Sequence, residues 1–146
     1  MGKNRRVVIG GILTLLLVLL PLTGALASYN PEGKAGVVEP QAFQYLAFGS
    51  SSLDFSGTTA LCYGCTEAKQ VVDYIAVTIT LQRWNGSRWE NVASWPFSKY
   101  NTFSVEGYKG ISVARGYYYR VQGFHKVTHN GVTETTYSYT DSIYLQ

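Results

Sequence analysis

One stretch, YIAVTITLQRWNGSRWENVASW from Tyr74 to Trp95, constrains the fold more than any other. Ile75, Val77, Ile79 and Leu81 stand at every second position, with Tyr74, Ala76, Thr78, Thr80 and Gln82 between them. That two-residue period belongs to a β-strand with one buried face. Asn85-Gly86 then interrupts the run before a second alternating segment carrying Trp89, Val92 and Trp95, which predicts a long hairpin. A two-residue loop would set Arg83 against Arg88, an unfavourable like-charge pair. A three-residue loop, Trp84-Asn85-Gly86 with Gly86 supplying positive φ, instead places Leu81 opposite Trp89.

The rest of the chain supplies partners for this hairpin. Phe43, Tyr45, Leu46, Phe48, Leu53 and Phe55 predict a first strand, interrupted at Gly49-Ser50-Ser51-Ser52. Gly57 to Cys65 predicts a second, and Glu67 to Asp73 a polar connection with room for one helical turn. Lys99 to Ser112 fits one or two short strands. GYYYRVQGFHKVT, from Gly116 to Thr128, is a strong strand that Asn130-Gly131 turns into Val132 to Leu145. A three-residue loop, His129-Asn130-Gly131, sets Val121 opposite Tyr139 and Gly123 opposite Tyr137. The expectation is an all-β, antiparallel two-sheet sandwich of about seven strands, spaced by roughly 8–12 residues with Asn-Gly and Gly turns.

The opening residues have another purpose. Lys3, Arg5 and Arg6 precede an apolar run from Val7 to Leu20, followed by Pro21 and Ala25-Leu26-Ala27, the pattern of a helical signal peptide cleaved after Ala27. The run is roughly fourteen residues, short of the roughly 17–25 that a membrane-crossing helix requires. No Cys follows it to carry a lipid, so a secreted, extracellular product with no membrane attachment is expected. The expected organisation is a signal peptide over 1–27, a flexible leader over 28–41 and the β-sandwich domain over 42–146. Removing Lys3, Arg5 and Arg6 from twelve basic residues leaves nine against nine acidic ones. A formally neutral domain lacks the basic patch that nucleic acid or anionic lipid rewards.

The segment YYYRVQGFHKVTHNGVTETTYS, from Tyr117 to Ser138, resembles the penultimate and last strands of a fibronectin type III or immunoglobulin-like module, and ITLQRWNGSRWENV is similar to that family's middle hairpin. The resemblance implies that Tyr119, Val121 and Gly123 take the family's inward Tyr-x-Val-x-small positions. Cys62 and Cys65 depart from the antibody pattern, being too close together to bridge two sheets. The arrangement also resembles small uncharacterised exported proteins of Gram-positive bacteria that share Leu-Gln-Arg, Asn-Gly, Trp and then Gly-Tyr-x-Tyr-Arg-Val. Such membership implies a fold and leaves activity open.

For chemistry, Cys62-Tyr63-Gly64-Cys65 is the most specific local feature. In an exported chain with only these two cysteines, a small disulfide ring between Cys62 and Cys65 is expected, with Gly64 making the turn it requires. Thioredoxin-type redox work needs a helix N-terminus after the motif, and no amphipathic helix follows. Cys62-x2-Cys65 with His125-x3-His129 imitates zinc-ligand spacing, but four residues of strand span about 13 Å, too far for one ion. No metal or cofactor is therefore expected. Asp54, Asp73 and Asp141 are scattered and no Gly-x-Ser-x-Gly elbow is present, so no catalytic set emerges.

Aromatic residues are the remaining feature. The chain carries 12 Tyr, 3 Trp and 6 Phe, and alternation sends Tyr118 to the face opposite Tyr117 and Tyr119, so some must lie outside. Trp84, Trp95, Tyr118 and Phe124 are the expected contact residues, since amphipathic rings suit protein surfaces and sugars. The expected function is a non-catalytic module that contacts a protein or cell-envelope component, or a second copy through an arm over Ser28 to Glu39. Carbohydrate binding is the first alternative, and a secreted enzyme or inhibitor using His125, His129 or Asp141 the second.

Overall fold

The computed structural model describes residues 42–146. The expected signal peptide over 1–27 and the expected leader over 28–41 lie outside the described residues. Six strands follow in order: β1 (Leu46–Ser56), β2 (Thr59–Trp84), β3 (Trp89–Ser112), β4 (Tyr117–His129), β5 (Val132–Tyr139) and β6 (Ile143–Leu145). All pairings are antiparallel. Among the described residues, no helix is long and apolar enough to cross a membrane.

The all-β expectation holds, but the expected pair of separate sheets is replaced by one curled sheet. β2 runs for 26 residues and β3 for 24, so both pass through the whole molecule. The first part of β2 is flanked by β1 and the end of β3, while its second part is flanked by the start of β3 and by β4. β5 and β6 share the far edge of β4. The expected connection over Glu67 to Asp73 is instead a bend inside β2. Between the Glu67–Ser104 and Val72–Thr102 pairs, residues 68–71 of β2 face Phe103 alone. Extra residues on one strand shorten its partner's path and turn the sheet.

This bulge also shifts the phase of the alternation. Ala60, Cys62 and Thr66 are buried before it, Ala68 within it and Val72 at its end, and the odd positions Ile75, Val77, Ile79 and Leu81 after it. Each of the larger aliphatic side chains contributes roughly 1.5–3 kcal/mol by leaving water. The two halves meet across an inner row of small residues, Ser51, Gly64 and Gly107, which are consecutive cross-strand neighbours. A Cβ on Gly64 would stand 2.9 Å from Ile79 and 3.0 Å from Val77, and one on Gly49 would stand 2.6 Å from the His125 ring. Absent side chains thus let one half of the sheet settle on the other.

Both hairpin turns differ from expectation. Trp84 pairs with Trp89 across a four-residue connection, in which Asn85 Oδ1 accepts the N–H groups of Ser87 and Arg88 at 2.9 Å each. Arg83 then faces Glu90 rather than Arg88, so the like-charge clash is relieved by another route. Leu81 lies opposite Ala93. At the second turn, His129 pairs with Val132 and the loop is only Asn130-Gly131, at φ 50° and 78°. Two consecutive positive φ values make the turn whose twist suits a two-residue hairpin. The register therefore moves by one, setting Gln122 against Tyr139 and Gly123 against Ser138.

The start of the described chain is pinned to β5. Glu134 accepts the backbone N–H groups of Gln44, Tyr45 and Leu46 at 2.5, 2.9 and 2.7 Å, and Lys69 Nζ donates to the Phe43 carbonyl. Burial acts to raise the Glu134 pKa, but these three donors and Lys69 outweigh it and hold the carboxyl below its ordinary range.

Candidate functional site

Inside the fold, the alternation of β4 turns Tyr119, Val121, Gly123, His125 and Val127 inward. His125 is wholly buried and linked to three other strands. Its Nδ1 lies 2.8 Å from Thr66 Oγ1 of β2, and its Nε2 lies 2.8 Å from Ser138 Oγ of β5. Ser138 in turn lies 2.9 Å from Ser51 Oγ of β1. Thr66 gives its single hydroxyl proton to the Ala76 carbonyl at 3.0 Å, so it can only accept from His125. The proton therefore sits on Nδ1, Nε2 accepts from Ser138, and Ser51 donates to Ser138. Gly123 makes room, since a Cβ there would stand 2.6 Å from Ser138 Oγ and 2.7 Å from His125 Nε2.

The Ser138–His125 contact has the outline of a nucleophile and its base, but the third position is Thr66 rather than a carboxylate. Ser138, His125 and Thr66 are all without exposure. Burial pushes the His125 pKa down to about 4, leaving the ring neutral at physiological pH. The group ties four strands together. The other histidine, His129, lies at the turn with Nδ1 3.2 Å from Asp73 Oδ1. Among the described residues, no three or more His, Cys, Asp or Glu side chains gather as metal ligands.

The expected disulfide is not formed: Cys62 and Cys65 are free thiols. β2 continues straight through Gly64, so residues three apart point to opposite faces, Cys62 inward and Cys65 outward. Burial raises the Cys62 pKa to about 11 and also raises that of Cys65.

The outer face of β3, β2, β4, β5 and β6 gathers most of the expected contact residues. At one end Trp84 packs on Trp89 with ring centres 5.5 Å apart, and Tyr118 on Tyr144 at 5.0 Å. Arg120 lies between them and the middle, its guanidinium carbon 4.4 Å from the Trp89 ring centre and 4.8 Å from that of Tyr139. Its Nε donates to Gln82 Oε1 at 2.8 Å, and Gln82 Nε2 donates to Asn91 at 2.9 Å. Phe124 packs on Tyr137 at 5.0 Å, and Tyr137 stacks on Tyr139 at 6.3 Å with the rings 20° apart. At the opposite end Tyr74 packs on Tyr100, and Lys126 Nζ lies 5.6 Å above Tyr74.

Trp84, Tyr118 and Phe124 thus share one surface. Trp95 does not: it pairs with Ile79 on the inner side and packs partly buried against the core. Tyr137, Tyr139 and Tyr144 are half-exposed members of the face that the sequence reading missed. A two-residue loop at Asn130-Gly131 would have revealed the first two, because that register alone turns both outward.

A family model matches residues 38–143, almost all of the described chain. The chain belongs to DUF6147, a family of unknown function. No curated protein matches it. A solved structure, wild-type OgpA from Akkermansia muciniphila, is similar over 79% of this chain and 30% of its own, with 18% identity and a TM-score of 0.34. The DUF6147 chain therefore spans less than a third of that protein, and a likeness of this degree carries no argument about activity.

Proposed function

We propose that this DUF6147 member is an exported, non-catalytic β module that acts by surface contact, engaging an extracellular or cell-envelope component through the outer face of β3, β2, β4, β5 and β6. The observation that carries the reading is the convergence of Trp84, Trp89, Tyr118, Phe124, Tyr137, Tyr139 and Tyr144 on that face. Solvent-facing ring clusters of this size are characteristic of interaction surfaces. Export rests on the basic, apolar and small-residue succession of residues 3–27.

In this reading the two halves of the curled sheet serve as the layers of an immunoglobulin-like sandwich. Tyr119 supports that comparison. It sits at the start of β4, and its hydroxyl donates to the Ala114 carbonyl five residues upstream at 2.8 Å, the contact that such sandwiches use at a strand corner. The test is the distribution of the secreted protein between culture medium and cell envelope. Alanine at Trp84, Tyr118 and Phe124 together is expected to release it into the medium, while Tyr108→Ala, an exposed tyrosine on the other half of the sheet, leaves it unchanged. Equal distribution for all three proteins would remove this face as the contact surface.

A further inference from the structure

The layout of this face says which class of partner it fits. Protein interfaces are driest and most apolar at the centre and polar at the rim. Here the order is reversed. The cross-strand rows place Ser94, Thr80 and Gln122 side by side, with Pro96 and Thr78 in the next row, so the middle is low and largely hydroxyl or amide. Thr80 donates to or accepts from Ser94 at 2.9 Å, and Gln122 Nε2 donates to Tyr139 Oη at 2.8 Å. The rings stand around this floor. Phe124, Tyr137 and Tyr139 form one long side, Trp84 and Trp89 close one end, and Tyr74 and Tyr100 close the other. The side along β3 is open, because β3 pairs only with β2.

We infer that this trough binds a neutral oligosaccharide lying parallel to the strands, a ligand class that rests on the contact function proposed above. A sugar ring has an apolar C–H face and a periphery of hydroxyls. The near-parallel Tyr137 and Tyr139 rings, on successive outward positions of β5, offer a continuous wall for the first. The Thr78, Thr80, Ser94 and Gln122 floor offers small donors and acceptors for the second. Both cations of the face are drawn onto rings that border it, Arg120 over Trp89 and Tyr139 and Lys126 over Tyr74. An acidic sugar would have to pull them off, and a neutral one leaves them in place.

The secreted protein is titrated with short oligosaccharides of cellulose, chitin, xylan and mannan, and with oligogalacturonate as the acidic arm, followed by calorimetry and tryptophan fluorescence. At least one neutral chain is expected to bind. Tyr137→Ala and Tyr139→Ala are each expected to weaken it on the order of tenfold. Tyr108→Ala is expected to leave it unchanged, and unaltered thermal unfolding confirms that each variant is folded. Silence of every neutral sugar, binding of the acidic arm alone, or indifference to both tyrosine changes overturns the inference. Envelope attachment lost in the Trp84, Tyr118 and Phe124 variant with all sugars silent would keep the contact face and assign it to a protein. Attachment unaffected by that variant, with all sugars silent, would remove both readings.

Discussion

The Phe97 ring rests directly on Gly107, ten residues further along the same strand: a Cβ built on Gly107 would stand only 2.2 Å from the ring's nearest carbon. One strand can touch itself in this way only because β3 bends, with Asn101 at φ 51° just before Phe103, the residue opposite the bulge of β2. Among the glycines between the two halves of the sheet, Gly107 has the tightest contact. Gly107→Ala should destabilise the domain by about 1–3 kcal/mol, the range for overpacking a filled interior. Phe97→Ala in the same chain should return part of that loss, since the two sites share the contact. Denaturant midpoints of the two single variants and the double one test this. Additive losses would mean that the ring and the glycine are independent.

Tyr119 holds the entry of β4 through the hydrogen bond of its hydroxyl to the Ala114 carbonyl. Removing it leaves the ring in the core, where Tyr119 is 1% exposed, and leaves the Ala114 carbonyl to water. Tyr119→Phe is expected to lower stability by about 1 kcal/mol, or roughly 4 °C in midpoint for a domain of this size. An unchanged midpoint in calorimetry would show that the corner bond contributes nothing.

What the sequence discloses and what it conceals divide along the physics of each feature. The burial of Ile75, Val77, Ile79 and Leu81 is legible because a period of two leaves no choice of face. The bend is not, because Lys69 and Gln70 within a polar run look like a loop, and only pairing with β3 shows that they sit in a bulge. The contact face was half legible. Trp84, Tyr118 and Phe124 fall on it from strand phase alone, whereas Tyr137 and Tyr139 depend on the Asn130-Gly131 loop length. A one-residue slip there exchanges Tyr137 for Ser138 on the inner side, which hid the His125 hydrogen bonds as well. Trp95 was misplaced for a similar reason, its side being decided by pairing with Ile79.

The cysteines give a third test. Burial pushes the Cys62 thiol up to about 11, and Cys65, more accessible on the other face, is raised as well. Thiolate is the reactive form, so both should be sluggish at neutral pH. Iodoacetamide on the native protein should label Cys65 slowly and Cys62 not at all, with both labelled after unfolding. Intact mass should not change on adding reductant before alkylation. A mass lower by two hydrogens in the unreduced protein would mean that β2 breaks at Gly64 to close a ring.

His125 sets the acid limit of the fold. Its folded pKa is about 4 against an ordinary 6.5, so the unfolded chain binds the proton more readily. Its contribution is therefore complete above pH 6.5 and is lost as pH falls from there to about 4. A gap of that size corresponds to a loss on the order of 3 kcal/mol across the window. Glu134, held below the ordinary carboxylate range, loses its own contribution at lower pH, so the two effects separate. All the hydrogen-bond partners of His125, Thr66 and Ser138, are uncharged, so no acid compensates the proton. In urea titrations between pH 7 and 4, the wild-type midpoint should fall steeply. His125→Gln should be less stable at pH 7, where it leaves Thr66 or Ser138 without its partner, yet nearly flat across the same window. Parallel curves for the two proteins would assign the acid sensitivity to other groups and leave the buried imidazole without a part in it.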